Sequence, residues 1–403
     1  MIEDGRHGGE GGGSGLKVWG LEPYFGGSHK AFLQGLARYS SHDFTLFTLP
    51  GRHWKWRMHG GALSLARRVA AGAAPGDLPH VFFASDMLDL PLFQAAVGPR
   101  LRGVPAILYF HENQLTYPLP PGVERDRGYG FKNLAGALAA EAVFFNSHYH
   151  MREFLSAAAD LLGAMPDEIP SWALEEIEAK TGVLPVGCDL RRFERHRSQA
   201  VADAAAGRWG DPGNGPLLLW NQRWEYDKAP GELFTALYAL KTSGVRFRLA
   251  MAGPNQGTPT AEFLQARTRL ADDIVQWGKV ASPSDYASLL WASDVVVSTA
   301  LHEFFGIAVV EAVYCGCRPV LPHRLSYPEL IPREAHEEVL YGEGGLVAAL
   351  ARALAQPRAW SEDWQRTWVS RFDWAGLRAR YDEEIRRCWE NATRAQGLRR
   401  LGR

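Results

Sequence analysis

The sequence predicts an α/β protein made of two Rossmann-like, doubly wound parallel-sheet domains facing across a cleft, with a helix at its carboxyl end. Three observations predict it. Short, continuously apolar runs rich in β-branched and aromatic residues recur along the chain, as expected of strands covered on both faces. The stretches between them are mostly of helix length, which implies parallel sheets with right-handed crossovers. The 403 residues fall into two such series, and that is more chain than one hydrophobic core usually serves.

Residues 1–15, MIEDGRHGGEGGGSG, are too polar and glycine-rich to pack and lack the apolar core of a signal peptide, so a disordered tail is expected there. Order opens with the apolar run Leu16 to Leu21. In the "EPYFGGSHKAFLQGLARYS" that follows, Phe32, Leu33, Leu36 and Ala37 recur at helical spacing, with Ser28 as the expected N-cap. A strand, a glycine turn and a helix result. The pattern repeats after 81–85 (VFFAS), 106–110 (AILYF) and 142–146 (AVFFN), giving a first domain over 16–195. From Arg191 the composition turns charged, then small and polar, and a linker is expected over 196–215. A second series, 217–221, 247–253, 274–278, 294–299 and 318–322, makes a second α/β domain over 216–375. Leu377, Tyr381 and Ile385 then mark a long amphipathic helix within a final segment, 376–403.

Composition narrows the function. A formal net charge of −1 leaves no molecule-wide attraction for nucleic acid or anionic membrane, so any polyanion must be held by a local patch. No run of eighteen apolar residues occurs, and a soluble cytoplasmic protein is expected. Cys315 and Cys317, one residue apart in an apolar stretch, fit neither a zinc knuckle nor a redox pair. With Cys188 and Cys388 they read as buried reduced thiols.

Ligands of doubly wound sheets bind at the carboxyl ends of the strands, and the polar residues there carry the chemistry. In "ALHEFFGIAVVEAVYCG" a strand ends at Thr299, a loop carries His302 and Glu303, and a helix starting near Gly306 carries Glu311. The helix N-terminus offers free N–H groups and positive partial charge to a diphosphate. The carboxylates offer acceptors to sugar and ribose hydroxyls. Taken alone, Glu303 as a helix cap and Glu311 as an ordinary helical residue is the competing reading. In "WNQRWEYDKAPGELF" Arg223 and Lys228 follow a strand and precede a helix, placed to neutralise two phosphates, or else solvated in a loop. No D-x-D pair sits at a strand end, so no metal is expected.

In the first domain, Gly26, Gly27, Ser28 and His29 form a glycine turn at a strand end. A loop then interleaves Trp54 and Trp56 with Arg52, His53, Lys55, Arg57 and His59, a mixture suited to stacking on exposed bases and holding phosphates. A surface loop with both tryptophans tucked into the core is the other reading. His111, Glu112, Asn113 and Gln114 follow a buried strand, where His111 could contact a sugar or assist proton transfer. Asn146, Ser147 and His148 repeat that arrangement, with Ser147 read as a helix cap.

The arginine and lysine after the first strand of the second domain, followed by E-x7-E, resemble the GT4-type glycosyltransferases of the GT-B fold. This chain departs from many of them in having no glycine before Arg223. The resemblance implies retention of anomeric configuration and a closing cleft. It also implies a donor site in which Arg223 and Lys228 face the diphosphate on the loop of Phe304, Phe305 and Gly306, Glu303 faces the sugar and Glu311 holds the ribose. Three first-domain segments, "YFGGSHKAFLQGL", "TLPGRHWKWRMHGGAL" and "YFHENQLTYP", are similar to the tRNA-queuosine α-mannosyltransferase family. That resemblance implies GDP-mannose as donor and the cyclopentene hydroxyl of queuosine, at the wobble position of a tRNA (tRNA-Asp in the family), as acceptor, with no membrane partner. Alanine at Glu303 or Lys228 is then expected to abolish transfer and leave the fold intact. The alternatives are a related enzyme using another sugar on a lipid or polysaccharide, and a non-catalytic tRNA-binding module.

Overall fold

The structure is a computed structural model that describes residues 15–401 except 75, 120–121, 255–259 and 358. Of the polar start expected to be disordered, only Gly15 lies among the described residues. Contacts divide the chain into two compact units, one of residues up to 187 together with those from 374 onward, the other of residues 188–373.

The first unit runs β1 (Lys17–Phe25), α1 (Gly27–Tyr39), β2 (Asp43–Pro50), α2 (Trp54–Gly72), β3 (Val81–Ser85), α3 (Leu90–Ala96), β4 (Ala106–Phe110), α4 (Arg127–Ala139), β5 (Ala142–Phe145), α5 (His148–Gly163), α6 (Trp172–Ala179) and β6 (Thr181–Val183). The sheet is parallel, in the order β2-β1-β3-β4-β5-β6. The central strands β3 and β4 are buried at every position, which is why they read as unbroken apolar runs. Phe82, Phe93, Phe110, Phe145 and Phe154 fill the layer between sheet and helices.

Three sequence expectations are corrected in this unit. β2 was not anticipated: it is an edge strand whose exposed Asp43 and Thr45 flank a buried Phe44, so its apolar run is interrupted. Ser28 does not cap α1. Gly26 is the N-cap and Ser28 is an exposed first-turn residue. A Cβ on Gly51 would lie 2.9 Å from the Gly26 nitrogen, and this backbone contact seats the β1–α1 turn against the end of β2. The 52–59 segment is not a loop, since α2 begins at Trp54. Ser147 does cap α5, its Oγ accepting the His150 N–H at 3.0 Å.

The second unit runs α7 (Arg197–Ala205), β7 (Leu217–Trp220), α8 (Pro230–Thr242), β8 (Arg248–Met251), α9 (Ala261–Arg269), β9 (Ile274–Trp277), α10 (Pro283–Ala292), β10 (Val295–Val297), α11 (Ile307–Tyr314), β11 (Arg318–Pro322), α12 (Tyr327–Leu330), α13 (His336–Val339), β12 (Leu340–Tyr341), α14 (Leu346–Ala355) and α15 (Glu362–Val369). Its sheet has the order β12-β11-β10-β7-β8-β9. The segment expected as a linker, 196–215, instead carries α7 and is fastened to α10. Ser288 Oγ donates to Asp203 at 2.6 Å, and the buried Trp209 donates to Ser288 Oγ at 3.1 Å. Asp203, a charged residue that reads as solvent-facing in the sequence, is buried on the inner face of α7.

The last helix, α16 (Trp374–Leu401), belongs with the first unit rather than standing apart after the second. Its expected apolar stripe, Leu377, Tyr381 and Ile385, is buried. Trp374 meets Phe32 at 5.6 Å between ring centroids. Asp382 accepts the Ser41 N–H at 3.0 Å and the His42 ring lies 3.0 Å from its carbonyl oxygen.

Candidate active site

In the second unit the carboxyl ends of β7 and β10 bring Lys228 and Glu303 together. The Lys228 side chain is only 8% exposed, with Nζ 3.4 Å from Glu303 Oε2, 3.0 Å from Asp227 Oδ2 and 2.7 Å from the His302 carbonyl oxygen. Burial works against the ammonium, but Glu303 and Asp227 outweigh it and hold the lysine above its ordinary pKa. For Glu303, burial favours the neutral acid, yet Lys228 prevails and keeps the carboxyl below its usual range. Both are charged at neutral pH. His302, by contrast, is pushed down to about 4 by burial and by Lys228, so it stays neutral. Arg223 lies at the edge of this group, its side chain 44% exposed and its guanidinium 3.3 Å from Glu225, and its charge acts on both Lys228 and His302.

The loop between β10 and α11 is held by its carbonyl groups. Arg324 donates to the carbonyls of Ala300 (3.1 Å) and Thr299 (3.2 Å), and the Ser326 hydroxyl lies 3.1 Å from those of both Glu303 and Phe305. Thr299 donates to the Lys228 carbonyl at 2.7 Å, and the Leu301 N–H to that of Asp227 at 2.7 Å. Gly306, the N-cap of α11, has φ +103°, a conformation that L side chains rarely adopt. α11 starts directly after this loop, and a helix N-terminus is suited to an anion. The side chains of Phe304 and Phe305, expected at the donor, are buried instead against His302 and Phe372. Only their backbone remains a candidate for ligand contact.

Glu311 lies in the second turn of α11 with its acceptors engaged. Arg192 donates to Oε1 at 2.6 Å and Tyr286 to Oε2 at 3.1 Å, while Asn221 fixes Tyr286 at 3.0 Å. Burial raises its pKa, opposed chiefly by Arg192. Arg192, read as linker charge, is thus a member of this group, and neither it nor Tyr286 was legible as such.

In the first unit a second polar group gathers at the ends of β1, β3 and β4. Buried His29 lies 3.0 Å from Glu22 Oε2, and its ring is 4.2 Å from that of His111. Burial opposes charge on His29, but Glu22 outweighs it and lifts the imidazole to about 9. His111 goes the other way: burial and the positive His29 hold it well below 6.5 and neutral. Asp86 Oδ1 accepts the His111 N–H at 2.9 Å. Burial, with Glu112 and Glu22, pushes Asp86 up to about 8 against the pull of His29. Asn146 donates to the His111 carbonyl at 2.9 Å and is held by His150 at 3.0 Å.

The remaining expected residues divide. Asn113 is fully buried and folds back on its own loop, accepting the N–H groups of Leu115 and Thr116 at 3.0 Å, so it shapes the loop rather than presenting itself. Gln114, also buried, donates to Glu112 at 3.3 Å. Glu112 and His111 are half-buried at the mouth of the group. On α2, Trp54 and Trp56 are 37% and 61% exposed, which removes the reading that buries them. Trp54 meets Tyr129 at 5.2 Å, Lys55 lies 5.7 Å from the Trp54 ring, and Arg57 donates to the Pro50 carbonyl at 3.1 Å. His53 precedes them in a left-handed conformation, φ 55°. Glu22 and Asp86 were missed, and the one available signal was an acid at the end of an otherwise apolar strand run.

Comparison with known proteins follows the same division. Residues 17–188 match the family described as tRNA-queuosine alpha-mannosyltransferase N-terminal, and residues 203–358 match glycosyl transferases group 1. A tRNA-queuosine alpha-mannosyltransferase of Drosophila melanogaster is 35% identical over 316 residues, 78% of this chain and 81% of the relative. A GDP-mannose:cellobiosyl-diphosphopolyprenol alpha-mannosyltransferase of Xanthomonas campestris is 29% identical over 67% of this chain and 69% of its own. The solved sucrose-phosphate synthase of Thermosynechococcus elongatus superposes with a TM-score of 0.60 at 16% identity, covering 96% of this chain and 98% of that one. The fold is GT-B.

Proposed function

The chain belongs to the tRNA-queuosine alpha-mannosyltransferase family, and from that premise we propose that it transfers mannose from GDP-mannose to the cyclopentene hydroxyl of queuosine at a tRNA wobble position, with retention and without a metal. The observation that carries the donor half is the buried Lys228–Glu303 pair beside the N-terminus of α11. A diphosphate leaving group gathers negative charge as the glycosidic bond breaks. A fixed, desolvated ammonium and free helix N–H groups stabilise that charge without reorganising, where such donors count most. Arg223, 44% exposed, supplies a second cation in forked geometry. Glu303 is ionised and accepts hydroxyl hydrogens of the sugar, and Glu311 does the same for the ribose. The departing phosphate takes the proton of the incoming hydroxyl on the same face, so no metal and no separate base are required. The likeness to the GDP-mannose:cellobiosyl-diphosphopolyprenol alpha-mannosyltransferase of Xanthomonas campestris supports GDP-mannose as donor.

The acceptor half rests on the first unit. Exposed Trp54 and Trp56 with Arg52, Lys55 and Arg57 offer base-stacking faces and phosphate contacts, in a chain whose net charge of −1 calls for such a local patch. Among the described residues no helix is long and apolar enough to cross a membrane. The test is incubation with queuosine-containing tRNA and GDP-mannose followed by nucleoside mass spectrometry. Queuosine gaining one hexose, dependent on Glu303, is expected. Donor turnover with no hexose on RNA would move the acceptor to another class.

A further inference from the structure

Helix α2 carries tryptophans and cations close together, and its geometry orders both. Trp56 is 61% exposed, yet its ring does not stand free. A Cβ on Gly60, one turn further along α2, would lie 2.5 Å from one atom of the Trp56 ring and 2.8 Å from two others. The indole therefore rests directly on the bare helix backbone at Gly60, with its other face outward. Glycine inside a helix costs about 1 kcal/mol against alanine, and here it makes room for the ring. An aromatic face fixed in this way loses little freedom when a ligand stacks on it.

The arginines of the same segment are drawn together. Arg57 and Arg68 are rooted three turns apart on α2, about 16 Å along its axis. Their guanidinium groups nonetheless end on one short piece of backbone. Arg57 Nε donates to the Pro50 carbonyl at 3.1 Å and Arg68 to the Thr48 carbonyl at 2.8 Å. These oxygens belong to residues two positions apart on the edge strand β2, about 7 Å along it. The Arg52 N–H reaches the Pro50 carbonyl as well, at 2.8 Å. Burial lowers the pKa of Arg57, and so do the like charges of Arg52 and Arg68, with no carboxylate among the groups acting on it. Protection of the open edge of β2 accounts for one N–H of each arginine. A guanidinium has five, and both bonds lie at the surface. Gathering like charges destabilises the fold on its own, and a bound anion relieves the repulsion.

We propose that this face of α2 seats the sugar–phosphate strand of the tRNA beside its modified nucleotide, with a base on Trp56 and phosphates on Arg57 and Arg68, so that the RNA is held by contacts that do not read queuosine. This rests on the queuosine-tRNA reading of the acceptor and adds to it where the strand lies. Planar guanidinium groups match phosphate oxygens in pairs, and an aromatic face accepts any base. An anionic membrane is the competing partner. It requires a broad apolar face to enter the interface, whereas the large exposed apolar side chains of α2 are Trp54, Trp56 and Leu63, and Trp54 already meets Tyr129.

The experiment measures binding of the full chain to queuosine-tRNA and to the same tRNA without queuosine over a range of salt, beside donor KM. Arg57→Gln combined with Arg68→Gln is expected to lower the slope of log affinity against log salt by about 0.7–0.9 per arginine. Both RNAs should show it, with donor KM unchanged, and Arg57→Lys combined with Arg68→Lys should keep most of the slope. Gly60→Ala puts a methyl group where the ring rests. It should cost about fivefold or more in affinity for both RNAs, the lower end for one stacked base. Melting temperature should hold or rise, because alanine favours the helix. Adding Trp56→Ala to Gly60→Ala should cost no more than Trp56→Ala alone. An unchanged salt slope in the double glutamine variant, or unaltered RNA affinity in Gly60→Ala, overturns the assignment. So does a loss confined to the queuosine-containing RNA, or variants that lose binding to phosphatidylserine–phosphatidylcholine vesicles and keep binding to RNA. Should the double glutamine variant fail to fold, Arg52→Gln, exposed and outside α2, decides instead: a lowered slope supports the contact and an unchanged one overturns it. A wild type that adds no hexose to queuosine-tRNA removes the acceptor reading and this inference with it, whereas an active wild type whose RNA affinity ignores these substitutions removes this inference alone.

Discussion

Lys228 and Glu303, 75 residues apart in the chain, meet at 3.4 Å in a site where the lysine side chain is only 8% exposed. The pair is fixed from both sides, because Lys228 also holds the His302 carbonyl and Asp227, and Thr299 holds the Lys228 carbonyl. The lysine is therefore a part of the loop's structure as well as a candidate phosphate ligand.

Replacing Lys228 by alanine is accordingly expected to lower turnover by about 10²–10³ and to destabilise the second unit as well. Removing one partner of a buried ion pair leaves an uncompensated charge, at a cost of roughly 3–5 kcal/mol. The expectation that the variant keeps its fold intact thus has to be revised. Thermal melts beside initial rates separate the two effects, and full activity with Lys228→Ala would remove the phosphate role.

The Glu22–His29 pair predicts a pH dependence of stability. His29 has its pKa raised from 6.5 to about 9 in the folded protein. Its contribution, of order 3 kcal/mol, is fully present below 6.5 and is lost as pH rises through 9. Melting temperature should fall over that window. His29→Asn should be less stable at about pH 6 and show a flatter profile, and parallel profiles for the two proteins would contradict the pairing.

Arg192 is expected to act on the donor through Glu311. Arg192→Gln leaves a buried carboxyl that burial already raises, so the variant should lose donor affinity as pH falls, with KM for GDP-mannose up by about 10-fold. Because the Arg192 side chain is 43% exposed, little change in stability accompanies it. A donor KM that stays level from about pH 5.5 to 8 would leave Arg192 a surface ion pair only.

Trp56, 61% exposed, should contribute to RNA binding without contributing to the fold. Trp56→Ala is expected to cost about 1–3 kcal/mol of tRNA affinity, the worth of one stacked base, at unchanged melting temperature and donor KM. Neutralising Lys55 should instead lower the slope of binding against salt. Equal tRNA affinity in Trp56→Ala would take the RNA surface away from α2.

Much of the fold was legible because the information was local. Strands such as Phe82–Ala84 and Leu217–Trp220 are buried on both faces and announce themselves as apolar runs. Glu303, Glu311, Arg223 and Lys228 stood out because each follows a strand, where a doubly wound sheet exposes its polar residues. β2 was illegible for the same reason reversed, since an edge strand needs no unbroken run. The 196–215 segment read as a linker because a run of charges precedes it and small polar residues follow, while the contact of Asp203 with Ser288 spans 85 residues.

By itself the sequence determined the two α/β halves, the segments that mark the family and the polar residues at the strand ends. Hydrophobic periodicity and motif spacing are properties of neighbours in the chain. Only the tertiary structure decided that α16 packs with the first unit, that Arg192 rather than solvent meets Glu311, and that Glu22, His29, Asp86 and His111 form one group. Those outcomes depend on which apolar face covers which, and on charges placed within a few ångströms by strands far apart in sequence. Burial then sets their protonation, because desolvation and pairing act through distance in space and not through position in the chain.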